Sequence, residues 1–88
     1  MAQLIKVNGE TIDVTPTNNT NFTLEELQKY VGGIIQIIGT KSKKLMIINE
    51  EGKLFNLKKN NKATKLYEYG SEDMVVGDVL IIDENQIL

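Results

Sequence analysis

The chain has no cysteine, no histidine, no arginine and no tryptophan. Without cysteine there is no disulfide framework, no thiolate zinc site and no thiol nucleophile. Without histidine the commonest general base and the commonest metal ligand are gone. There is no excess of positive charge: 10 Lys stand against 12 acidic residues, for a net charge of -2. A general nucleic-acid binder carries a strong basic excess, so that class is excluded. No apolar run approaches the length of a membrane span, and the N-terminus has no signal-peptide pattern. These absences set the expectation of a soluble cytoplasmic protein with no metal and no cofactor.

What is present is ordinary globular material, 41% apolar and 25% charged. Its 88 residues make a single small domain, 1–88. Asn8-Gly9 lies between Leu4–Val7 and Thr11–Val14, and Asn-Gly between β-prone runs is a strong hairpin signal. A polar loop through Pro16 leads to a helix. Thr23 and Glu26 have capping-box spacing, and Phe22 and Leu27 have the spacing of a hydrophobic staple. Gly32-Gly33 ends that helix. Strands are predicted at Ile34–Ile38, at Leu45–Ile48 and at Val79–Ile82, from β-branched content. A further short strand is predicted at Leu54-Phe55, after a turn with Gly52 in a left-handed position. Asn60 or Asn61 caps a second short helix carrying Ala63, Leu66 and Tyr67, with Gly70 as its stop. The order ββαββ(β)αβ defines an α+β domain with a mostly antiparallel sheet of five or six strands, one central helix and one short helix.

Three of these strands are apolar at nearly every position, a pattern of strands covered on both faces. Two helices are expected to cover only one face. The other face then either curls onto itself, as a coiled half-barrel that closes its own core, or is covered by a second copy; the second predicts a homo-oligomer, in its simplest form a dimer through sheet faces or edges.

The chain offers little for catalysis. Ser42 and Ser71 have no histidine to activate them. Glu50-Glu51 and Glu72-Asp73 are adjacent pairs in turns, and Asp78, Asp83 and Glu84 flank the last strand without calcium-loop spacing. The most informative stretch is Asn56–Tyr67. Lys58, Lys59 and Lys62 crowd the start of the second helix, where the dipole disfavours cations by roughly 0.3–1 kcal/mol each. A local conflict of this kind marks candidate functional sites. Free N–H groups together with lysines suit an anionic ligand such as a phosphate. The candidate ligand-binding residues are Asn60, Lys62, Thr64, Lys58 and Lys59, together with Asn49 and Lys53 of the preceding turn.

The segments Asn49-Glu50-Glu51-Gly52-Lys53-Leu54, Asn60-x-Lys62-Ala63-Thr64-x-Leu66-Tyr67 and Val76-Gly77-Asp78-Val79-Leu80 resemble a family of small phage and bacterial proteins. That family is domain of unknown function 3846. Leu24–Gln28 followed by Val31-Gly32-Gly33 fits its central helix. The resemblance implies a phage or mobile-element origin, a bacterial cytoplasmic setting and no assigned reaction. Small phage proteins of this size often act stoichiometrically against host systems, and some capture nucleotide immune signals. The expected function is therefore non-enzymatic binding of a nucleotide-derived signal, an anti-defence sponge. The rival expectation is an inhibitor or adaptor that occupies a host protein through an acidic surface (Glu50, Glu51, Glu72, Asp73, Glu84) or a sheet edge.

Overall fold

The computed structural model describes residues 2–86. The elements, in chain order, are β1 (Ala2–Ile5), β2 (Thr11–Val14), α1 (Leu24–Val31), β3 (Ile35–Gly39), β4 (Leu45–Asn49), α2 (Asn61–Leu66) and β5 (Val79–Ile82), followed by a 3-10 turn at Glu84–Gln86. All pairings are antiparallel and the sheet order is β2-β1-β5-β4-β3. The last strand therefore lies at the centre, between the first hairpin and the third and fourth strands.

Helix α1 follows its local signals. The Glu26 amide N–H donates to the Thr23 hydroxyl while the Thr23 amide N–H donates to the Glu26 carboxylate, closing the capping box. Phe22 and Leu27, the staple pair, are both buried. Gly32 ends the helix in the left-handed region at φ 80°, a conformation that favours glycine.

The two cores lie on opposite faces of the sheet. Leu27, Val31 and Phe22 pack on Ala2, Ile47, Leu80 and Ile82. Ala63 of α2 and Val75 pack on Ile5, Met46, Val79 and Ile81. Strand side chains alternate between faces, so Val79–Ile82 is buried at all four positions, half toward each helix. This corrects the expectation that two helices would cover one face. The chain covers both faces of β4 and β5 itself, and its exposed apolar side chains include Ile34 and Ile37 at the β3 edge and Leu54 and Phe55 in the turn after β4.

Four local expectations are also corrected. The Asn8-Gly9 hairpin forms, but only Gly9 has positive φ and the connection spans residues 6–10, so β1 ends at Ile5 rather than Val7. Leu54-Phe55 forms no strand. The two residues sit in consecutive turns, 73% and 61% exposed, and are not drawn into the sheet. The left-handed residue of that region is Asn56 rather than Gly52, which is buried beside Val76. Gly70 does not stop α2, which ends at Leu66. Glycine is required there because a Cβ would sit 1.9 Å from the Thr64 carbonyl oxygen.

Candidate functional site

The seven residues singled out in the sequence divide sharply. Asn60 is 1% exposed and fully engaged. Its Nδ2 donates to the Ile5 and Gly77 carbonyls, both at 2.9 Å, and its Oδ1 accepts from the Ala63 amide at 3.0 Å. Thr64 is buried beside it. Its hydroxyl donates to the Asn60 carbonyl at 2.8 Å and accepts from the Val75 amide at 2.9 Å. Both residues join α2 to the end of β1 and the start of β5, and neither presents a polar atom to a ligand. Asn49 is likewise buried, donating to the Val31 carbonyl and accepting from the Glu51 amide.

The lysines lie apart. Lys62 donates to the Thr11 hydroxyl, Lys53 pairs with Asp73, and Lys59 is exposed on a short bridge to Val76. Of the opening amides of α2, which were to form the anion site, those of Ala63 and Thr64 are met by Asn60 itself, through its side chain and its carbonyl. Of the seven, only Lys58 reaches a groove that other lysines share.

That groove runs along α1 where the helix leaves the β1 side of the sheet open. It consists of two adjoining hollows of about 470 and 420 Å³ that share Lys29, Tyr30 and Asp78. Lys58, Leu57, Val7 and Gly77 line one end; Lys6, Leu4, Thr17 and Glu26 line the other. Lys6, Lys29 and Lys58 come from a hairpin loop, a helix and a connecting segment. Among the described residues no acid pairs with any of the three ammonium groups. The two carboxylates present are spent on backbone. Asp78 accepts from the Val7 amide at 3.0 Å. Glu26 accepts from the amide and hydroxyl of Thr17 and from Thr23. The backbone N–H groups of Thr17 and then Thr23 hold the Glu26 carboxyl below its ordinary pKa. Tyr30 forms part of the wall, its ring fixed edge-on against Phe22 at 6.1 Å.

A second, smaller cleft of about 160 Å³ lies on the α2 face, against β3. Gln36, Ile38, Glu50, Lys53, Tyr67, Asp73 and Met74 are among its lining. The Lys53–Asp73 pair holds together the two turns that form it, and that hydrogen bond holds the Asp73 carboxyl below its ordinary range.

Sequence reasoning missed Lys6, Lys29 and Tyr30, because nothing local distinguishes them; only the folded chain, which sets the first hairpin loop alongside α1, brings them to one groove. Asp78 and Asp83 stand at opposite ends of β5, roughly 17 Å apart at the rise of an extended strand. No cluster of three or more acidic residues that could hold a metal ion occurs among the described residues. No helix among them is long and apolar enough to cross a membrane.

The fold and its grooves define a small α+β domain with a central antiparallel sheet sandwiched between two helices. Residues 1–86 match the family described as Domain of unknown function (DUF3846), and the chain belongs to it. No curated protein and no solved structure matches the chain.

Proposed function

We propose that the protein is a non-catalytic binding protein that sequesters a small phosphate-bearing ligand of the nucleotide class in the groove beside α1. The observation that carries this reading is the convergence of Lys6, Lys29 and Lys58 on one groove whose two carboxylates, Asp78 and Glu26, are bonded elsewhere and not to these lysines, in a chain of net charge -2. Burial and pairing normally neutralise or scatter surface lysines; here three elements deliver them to one place. Charge-assisted hydrogen bonds to phosphate are worth about 1.5–3 kcal/mol each. Tyr30, half-buried in the wall, is an aromatic side chain of the type on which bases stack. The lack of histidine and cysteine agrees with capture rather than turnover. In a bacterial cytoplasm such capture would withdraw a nucleotide signal stoichiometrically.

Isothermal titration with ATP, ADP-ribose and cyclic dinucleotides tests the reading. One member of the panel binds, and binding weakens as salt rises. Lys29→Glu and Lys58→Glu each lower affinity by about tenfold or more. Lys62→Ala leaves it unchanged, because that side chain faces Thr11. Indifference to every phosphate compound overturns the reading.

A second reading has its own observation. The turn with Leu54 and Phe55 exposed is tied by Lys53–Asp73 to the loop carrying Glu72 and Met74, which makes an acidic and apolar knob suited to a host protein. A stoichiometric host protein captured by the parent chain and lost with Leu54→Ser/Phe55→Ser favours it. A co-purified nucleotide absorbance favours the first.

A further inference from the structure

We infer that the β3 edge pairs with the β3 edge of a second copy, joining two sheets into one of ten strands about a twofold axis at Gln36. In β3 the even-numbered residues turn their backbone groups toward β4, as the Glu50 amide bonded to the Ile34 carbonyl shows. The odd-numbered residues turn outward. At the far end those outward groups are taken: the Glu68 amide donates to the Gly39 carbonyl and the Lys41 amide to the Leu66 carbonyl. At Ile35 and Ile37 the outward groups have no partner among the described residues.

The open window is therefore Ile34–Ile38, five residues centred on Gln36, and this fixes both orientation and register. Antiparallel self-pairing about Gln36 sets Ile35 against Ile37 of the second copy and Ile37 against its Ile35. Each pair exchanges two main-chain hydrogen bonds, four in all. Ile34 then lies against Ile38 of the second copy. These contacts cover Ile34 and Ile37, which are 51% and 45% exposed in the single chain. Edges that must stay single usually carry lysine, proline or a bulge. Ile34–Gly39 carries none of these.

Charge agrees with the antiparallel sense. The lysine turn of Lys41, Lys43 and Lys44 lies beyond one end of β3, and Glu50 and Glu51 stand at the other, so each end meets the opposite charge of its mate. The axis also brings the two Gln36 side chains together, which joins the two clefts on the α2 face into one trough. The inference is independent of the lysine groove, which lies on the other face.

Cysteine chemistry provides a clean test because the chain has none of its own. Gln36 faces its own copy in a non-hydrogen-bonded pair, where Cα atoms stand about 4.5 Å apart, within disulfide range. Gln36→Cys therefore oxidises to a linked dimer much faster than Asn18→Cys in an exposed loop. Sedimentation velocity of the parent chain moves from 9.9 kDa toward twice that mass as concentration rises. Ile37→Lys stays at the lower mass with an unchanged circular dichroism spectrum. A parent chain that remains single at its highest soluble concentration overturns the pairing. So does a dimer indifferent to Ile37→Lys, or a Gln36→Cys chain that links no faster than the loop control.

Discussion

Asn60 concentrates more of the fold in one side chain than any other polar residue described. It caps α2 and also bonds the Ile5 and Gly77 carbonyls, residues 55 and 17 positions away. Replacing it with alanine removes the cap, worth about 1 kcal/mol. It also removes two buried hydrogen bonds, to the Gly77 carbonyl and to that of Ile5, which stays in the ladder with Val79, at a cost of about 0.5–1.5 kcal/mol each. Asn60→Ala is thus expected to lose about 2–4 kcal/mol, read from the urea midpoint. Asn60→Asp keeps the capping oxygen but replaces the amide donor with an acceptor, so it is not a rescue. A loss below about 1 kcal/mol in Asn60→Ala would mean that only the cap matters. The sequence shows Asn60 as a cap, because the next three residues are local to it. It does not show the staple, because the partner carbonyls belong to distant segments. The lysines around Asn60 drew attention for the same reason: a crowd of cations at a helix start is a local feature, whereas the inward turn of Asn60 and the separate directions of Lys53, Lys58 and Lys62 depend on distant segments.

At the scale of elements, legibility follows the range of the controlling interactions. Helix α1 is fixed by Thr23, Glu26 and Gly32, all within its own span, and its limits agree with the sequence. Leu54-Phe55 has β-prone composition, but pairing is a long-range property, and the chain around these residues closes into consecutive turns that keep them off the sheet. Strand β3 reads as apolar on both faces yet lies at an edge, and sheet order is not written in any single segment. The α1 capping box also sets an acid limit. In the folded chain the Glu26 carboxyl titrates below its ordinary value, first through the Thr17 amide and then through Thr23. Its contribution is therefore complete above the ordinary glutamate value of about 4.3 and is lost as pH falls through the lower folded value. Glu26→Gln keeps an acceptor oxygen but does not titrate. Its deficit relative to the parent should be present near neutral pH and shrink as the pH falls below about 4. Thermal melts of both chains across that range check this, and a deficit constant with pH would show that the carboxylate's charge plays no part.

For the whole molecule, the decisive fact is that one thin sheet carries two cores. Val79 and Ile81 face α2; Leu80 and Ile82 face α1. Neither helix is long, and neither core is large enough to stand alone in a chain of this size. The two must therefore melt together, coupled through the backbone of β4 and β5. Ile81→Val and Ile82→Val test this from neighbouring positions on opposite faces. Each removes one buried methylene and should cost about 0.5–1.5 kcal/mol. Their side chains lie in different cores, so a departure of the double variant from the sum of the two measures the coupling carried by the backbone they share. All three variants should still unfold in one transition when followed by far-ultraviolet circular dichroism and by tyrosine fluorescence, whose reporters Tyr30 and Tyr67 lie against different cores. Divergence of the two probes in either single variant would mean that one layer opens while the other holds. The sheet would then be a hinge between two weakly linked halves, and the lysine groove on the α1 face could open without disturbing the β3 cleft on the other.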